Sequence, residues 1–196
     1  RSKKGIYYVY DLSSKEIQKI SEEPIQEPSF SPDGTKVAYV YKNNIYVKDL
    51  LSSTVDQITQ DGKINQIING LADWVYEEEW GLRDGFRWSP DGARIAYWQS
   101  DATEVRDFIL VNYTDSLYPQ LTRIPYPKVG ETLSAVRVGV VDIESAETVW
   151  IDLEDDDLAA DTELPLNLFG DRVATVGDVT RKRGRRVGEN VHRRRR

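Results

Sequence analysis

From Gly5 onward the apolar positions come in runs of strand length, separated by turn residues, with no sustained helical period. Ile6–Leu12 is rich in β-branched and aromatic residues, and a turn at Ser13-Ser14-Lys15 leads into Ile17–Ile20. Lys36–Tyr41 is followed by Asn43-Asn44, a pair predicted to occupy the two left-handed positions of a type I′ turn. Ile45–Leu50 returns from it, and Val55–Thr59 follows a second turn of small residues. Four short antiparallel strands in about thirty residues are the content of one propeller blade. Farther on, Phe108–Asn112, Val136–Ile143 and Thr148–Asp152 read as strands, while Pro119, Pro125 and Pro127 exclude a central strand between them.

One signature occurs twice. Phe30-Ser31-Pro32-Asp33-Gly34 leads into Lys36-Val37-Ala38-Tyr39, and Trp88-Ser89-Pro90-Asp91-Gly92 leads into Arg94-Ile95-Ala96-Tyr97, fifty-eight positions later. Pro presets the first turn position, Asp suits the second, and Gly supplies the positive φ that closes the hairpin. A single copy is an ordinary turn. Two copies, each after an aromatic residue and before an apolar-Ala-Tyr strand, indicate a structural repeat, and the spacing exceeds the ~40–45 residues of common propeller repeats. The excess is assigned to an excursion over Asp73–Gly85, placed between blades on the face where binding occurs.

Within that excursion lies Asp73-Trp74-Val75-Tyr76-Glu77-Glu78-Glu79-Trp80. Asp73 suits an N-cap, and the glutamates then fall in the first turns, where the helix dipole tolerates negative charge. So short a helix must be held by its neighbours, with Trp74, Tyr76 and Trp80 as the expected anchors. Adjacent glutamates splay by about 100°, so Glu78 and Glu79 can embrace a small cation such as an alkylammonium, which offers donors only. By composition alone the run reads better as a solvated acidic face, like Glu154-Asp155-Asp156-Asp157.

Asn69-Gly70-Leu71-Ala72 followed by this acidic stretch strongly resembles the dipeptidyl peptidase IV branch of the prolyl oligopeptidase family of serine peptidases, over roughly three quarters of the chain, from Tyr7 to Asp152. The resemblance implies an all-β fold, a partial β-propeller of about three four-stranded blades, with a short helical insertion at 73–80. It implies that Glu78 and Glu79 bind the free amino terminus of a peptide substrate. It further implies an extended arm over 107–127 that serves homodimer contact; the residues there read equally well as a long surface hairpin. The family's carbonyl-binding arginine falls just upstream of the chain when its serine is aligned with Ser2, so Arg1 does not take that role. Asn112-Tyr113-Thr114 is a formal glycosylation sequon, a weak signal by itself.

The chain has 196 residues and neither cysteine nor methionine. Lacking an initiator methionine, it reads as a fragment. The absence of cysteine excludes disulfides and thiol chemistry and leaves the compartment open, with a periplasmic or secreted setting expected for a bacterial parent. The net charge of −7 is uneven: residues 181–196 hold nine Lys/Arg against one acid, and the rest sums to −15. So acidic a body attracts cationic ligands and repels nucleic acid, and the basic tail carries no aromatic residue to stack on bases.

The domain reading is therefore a propeller fragment over 1–152 and an atypical tail over 153–196, acidic then Arg-rich. That tail is read as foreign to the family, such as translation in a shifted frame, or as a basic arm for nucleic acid or an acidic partner. No G-x-S-x-G occurs, and the sole histidine, His192, is flanked by arginines. The chain therefore carries no catalytic triad, metal site or cofactor site of its own. The expected function is the substrate-binding and gating portion of a dipeptidyl peptidase IV-like enzyme, whose serine belongs to an α/β-hydrolase domain elsewhere in the parent. The alternative is a non-catalytic propeller acting as an interaction scaffold.

Overall fold

The computed structural model describes residues 3–151, so the segment over 153–196 lies outside it. In chain order the elements are β1 (Tyr8–Tyr10), β2 (Ile17–Lys19), β3 (Gln26–Phe30), β4 (Lys36–Tyr41), β5 (Asn44–Asp49), β6 (Val55–Gln57), β7 (Ile67–Asn69), α1 (Trp74–Trp80), β8 (Phe86–Trp88), β9 (Arg94–Asp101), β10 (Asp107–Asn112), β11 (Gln120–Pro125), β12 (Ala135–Asp142) and β13 (Thr148–Trp150). Strands β3 to β6 form an antiparallel meander in sequence order, and β13, β12, β9 and β7 form a second sheet in which β8 also pairs with β9. The β1–β2 hairpin stands before the first of these sheets. A partial propeller is what the sequence predicts; among the described residues, two of its three blades are full sheets and the first is a hairpin.

The strands predicted from periodicity are present with ends shifted by a residue or two. The turn after Tyr41 differs. Lys42 (φ 47°) and Asn43 (φ 63°) take the left-handed positions, and Asn44 pairs with Tyr41 as the first residue of β5. The shift frees the Asn44 side chain to turn inward, where it is buried.

Both Ser-Pro-Asp-Gly turns adopt one construction. Ser31 Oγ donates to Asp33 Oδ1 (2.6 Å) and accepts from Lys36 N (2.9 Å), and Gly34 N reaches Ser31 O. Ser89, Asp91, Gly92 and Arg94 repeat these contacts at 2.5, 2.9 and 2.9 Å. A second repeated turn joins the last two strands of each unit. Asp11 Oδ1 accepts from the amides of Ser13 and Ser14, Asp49 Oδ1 from Leu51 and Ser52, and Asp142 Oδ1 from Glu144 and Ser145. In each case the residue four after the aspartate has positive φ: Lys15, Ser53 and Ala146.

Strand β4 explains the layering. Val37 and Tyr39 on one face pack with Ile20 and Ile25, whereas Ala38 and Val40 on the other join Ile45, Val47, Leu71, Phe86, Trp88, Ile95, Tyr97 and Val141. A strand covered on both faces needs a nearly continuous apolar run, which is why Lys36–Tyr41 shows no polar alternation. Trp88 Nε1 donates across the inter-blade space to Ser29 O (3.2 Å).

Candidate functional site

The helical excursion interrupts a strand, where the sequence reading put it between blades. Both β7 and β8 pair with β9, Asn69 opposite Gln99 and Phe86 opposite Tyr97. At the break, Gly70 N donates to Trp98 O (3.1 Å), Trp98 N to Gly85 O (3.0 Å) and Gly85 N to Gly70 O (3.0 Å). The edge strand thus continues across the gap, and residues 71–84 bulge out as a closed loop with Leu71 bridged to Asp84. Gly70 has φ 72°, and a Cβ on it would approach Ile45 Cγ1 to 2.9 Å; only glycine suits that position.

The root is fixed by a buried polar network that sequence reasoning did not find. Asn44 Oδ1 accepts from Thr59 Oγ1 (3.1 Å), Gly62 N (2.9 Å) and Asn69 Nδ2 (3.4 Å). Asn69 Nδ2 also donates to Asp61 Oδ1 (2.8 Å), and Gln99 Nε2 donates to Asp61 Oδ2 (2.8 Å) and Asn69 Oδ1 (2.7 Å). Asn44, Thr59, Asn69 and Gln99 are all buried, so the network ties one blade to the residue from which the excursion departs. Its members are scattered over 44–99, and no local motif announces them.

Helix α1 forms as its ends dictate. Asp73 Oδ1 accepts from Tyr76 N (2.9 Å), and Gly81 (φ 67°) ends the helix with its amide on Glu77 O and that of Leu82 on Tyr76 O. None of its seven residues is buried. Of the three expected anchors, Trp74 packs at a tilt on Tyr126 with ring centroids 4.5 Å apart, and Tyr76 packs on Trp80 at 5.4 Å. Trp80, however, is 48% exposed, because this helix stands off the sheet instead of lying on it.

Glu78 and Glu79 are both exposed, and Glu77 is half-buried. Glu79, Trp74 and Val75 line an open groove of about 780 Å³ whose other wall is Phe108 and the segment from Tyr126 to Leu133. The opposite flank of the helix turns toward Glu27, in an irregular part of β3 with φ 47°. Burial, then repulsion from Asp84 and Glu77 against the opposing Arg83, raises the Glu27 carboxyl above its usual range. Asp84 is itself paired with Arg87 at 2.6 Å. Among the described residues no cluster of His, Cys, Asp and Glu is placed to hold a metal ion, and no helix is long and apolar enough to cross a membrane.

The stretch over 107–127, read as an arm or a long surface hairpin, forms the β10–β11 ribbon, paired from Asp107–Pro125 to Asn112–Gln120, a geometry both readings share. It projects from the loop between β9 and β12 and exposes apolar side chains along its length, with Leu117 at 93% and Tyr118 at 80%. Pro125 ends β11, compatible with a two-stranded ribbon that no further strand joins among the described residues.

A family model described as the dipeptidyl peptidase IV (DPP IV) N-terminal region matches residues 1–174. The chain belongs to that family. The propeller is therefore that of the DPP IV N-terminal region. Prolyl endopeptidase FAP of Bos taurus is 41% identical over 146 residues, which cover 73% of this chain and 19% of that protein. Inactive dipeptidyl peptidase 10 of Mus musculus is 32% identical over 143 residues, 70% of this chain and 18% of that protein. The crystal structure of Porphyromonas gingivalis dipeptidyl peptidase 4 superposes with a TM-score of 0.76 at 37% identity, over 80% of this chain and 22% of that one. The chain thus spans about a fifth of the length of the relatives it matches.

Proposed function

We propose that this chain is the substrate-admitting part of a dipeptidyl peptidase IV-like serine peptidase, and that Glu78 and Glu79 clamp the free amino terminus of the peptide. The reading is supported chiefly by an Asp73-capped helix, interrupting an edge strand, on which the adjacent Glu78 and Glu79 are solvent-exposed and Glu79 lines a groove. A peptide's α-amino group ordinarily titrates at about pH 8, so it is largely cationic at neutral pH and needs acceptors on leaving water. Fixing the amine fixes the register, and the bond two residues along then meets a serine carried by an α/β-hydrolase domain of the parent. This chain contributes positioning; the bond chemistry belongs to that domain. An internal or blocked peptide brings no ammonium to offset the desolvation of the two carboxylates, which gives the selectivity. The exposed arm would serve contact with a second copy of the parent.

The test is made in the full-length parent with X-Pro p-nitroanilides bearing a free amine. Losing one carboxylate from a charge-paired amine site costs about 2–5 kcal/mol, roughly thirty- to several-thousand-fold in kcat/KM. Glu78→Gln and Glu79→Gln are expected to lose at least thirtyfold (~2 kcal/mol), whereas Glu77→Gln, on the other flank, is tolerated. Equal, mild effects of all three would return the run to a solvated acidic face. The relative whose name marks it as inactive favours a second reading, a non-catalytic propeller scaffold. Absence of any hydrolysis by the full-length parent, with the hydrolase domain folded, would select it.

A further inference from the structure

Helix α1 carries the proposed clamp, yet none of its residues is buried and it is only seven residues long, too short to be stable alone. Something outside the sheet core must set its orientation. One contact that does so joins the helix to the root of the arm. The Trp74 and Tyr126 rings are 4.5 Å apart at 46°, and Tyr126 in turn packs on Phe108 of β10 at 5.5 Å and 43°. Tyr126 is itself rigidly presented. Its amide donates to Arg106 O (2.9 Å), and it stands between Pro125 and Pro127, the first limiting the local backbone and the second forcing Tyr126 to be extended.

Helical spacing transmits this to the carboxylates. Trp74 and Glu78 are four residues apart and so lie one above the other on one face, with Val75 and Glu79 forming the adjoining row. The Trp74 contact therefore restrains rotation of the helix about its axis, and any roll that lifts Trp74 from Tyr126 swings both glutamates with it. Val75 and Glu79 face the same groove as Tyr126, so the groove narrows or opens with that roll.

We infer that Tyr126, through its tilted ring contact with Trp74 and its support from Phe108, is a positioning residue for the amine clamp, and that the arm's root thereby sets the affinity for peptide amino termini. The inference rests on the clamp reading of Glu78 and Glu79. It makes Tyr126 act through α1.

The test compares Tyr126→Ala, Tyr126→Leu, Tyr126→Phe and Glu79→Gln in the full-length parent. Two readouts are used: KM and kcat on an X-Pro p-nitroanilide, and the rate of serine labelling by a phosphonofluoridate that has no amine. Displacing a positioned group by about 1 Å can cost about a hundredfold, so Tyr126→Ala is expected to raise KM about tenfold or more. Its kcat and labelling rate should stay near wild type, and Tyr126→Phe, which keeps the ring, should restore KM. If Tyr126→Ala does not accumulate as folded protein, Tyr126→Leu, which keeps apolar bulk but loses the ring contact, carries the same expectation. An unchanged KM in Tyr126→Leu, or a labelling rate that falls in parallel, overturns the inference. If Glu79→Gln raises KM while the Tyr126 variants do not, this inference alone fails. If Glu79→Gln is also silent, the clamp reading fails and takes the inference with it.

Discussion

Gly85 lies directly beneath the indole of Trp98: a Cβ built on Gly85 would stand 2.1 Å from Trp98 Nε1. That nitrogen donates to Leu71 O at 2.8 Å, while the Trp98 amide donates to Gly85 O. One tryptophan thus closes both stems of the excursion, and it can do so only against a residue without a side chain. Gly85→Ala forces the indole away and breaks the Leu71 contact. We expect a loss of about 3 kcal/mol or more. In a unit of this size that is a fall of about 6–12 °C in Tm, read by thermal unfolding monitored with near-UV circular dichroism.

Asn44 joins Thr59, Gly62 and Asn69 through a single side-chain oxygen. Asn44→Ala leaves these donors without that acceptor in a buried place and should cost about 1–3 kcal/mol. Asn44→Asp, which keeps an acceptor but adds a charge near Asp61, is not expected to restore stability. Chemical denaturation of the three proteins in parallel measures both effects.

Acid should weaken the fold through its turns. Hydrogen bonds from Ser31 and from the amide and hydroxyl of Thr35 lower the Asp33 carboxyl from 3.8 to about 2. Asp11, Asp49, Asp91 and Asp142 are lowered likewise by the amides and serines of their turns. A carboxyl depressed in the folded state stabilises it fully above its unfolded value, and that support is lost as pH falls through the folded value. Stability should therefore drop between about pH 4 and pH 2. In Asp33→Asn and Asp91→Asn, which never ionise, the drop should be smaller and start from a lower plateau. Denaturant midpoints measured across that pH range decide it.

The arm should promote self-association. Phe108, Ile109, Leu110 and Val111 expose 41–45% of their surface, and Leu117 and Tyr118 far more. A ribbon so apolar on both faces is an interaction surface or an aggregation liability. Leu117→Glu with Tyr118→Glu is expected to shift the protein toward monomer in sedimentation velocity, without altering its melting temperature. An unchanged distribution would assign association to other edges.

Much of this molecule was legible locally. The Ser-Pro-Asp-Gly turns could be read because each residue's contribution is made within five positions of chain, and the structure repeats them down to the serine hydroxyl. The start of the helix was legible for the same reason, with Asp73 as its cap; Gly81, which ends it, is an equally local signal that was not read. The turn at Ser13-Ser14-Lys15 and the one before Val55 were read as turns of small residues, but the aspartate that organises them and the turn after β12, at Asp11, Asp49 and Asp142, was not read. Their signal is an aspartate at the end of an apolar strand followed by serine two or three positions on, a spacing that recurs three times.

By itself, then, the sequence determined the strands, their repeated turns, the capped helix and the adjacency of Glu78 and Glu79, all set by interactions between near neighbours in the chain. Tertiary structure decided the rest. It moved the turn after Tyr41 to Lys42-Asn43, so that Asn44 could serve residues 59 to 69. It interrupted an edge strand to launch the helix, and it left Trp80 in the open while seating Trp74 on Tyr126. Each of these depends on partners tens of residues away. Such pairings are selected by packing of whole sheets, which reward a contact only after the long loop between its partners has been closed.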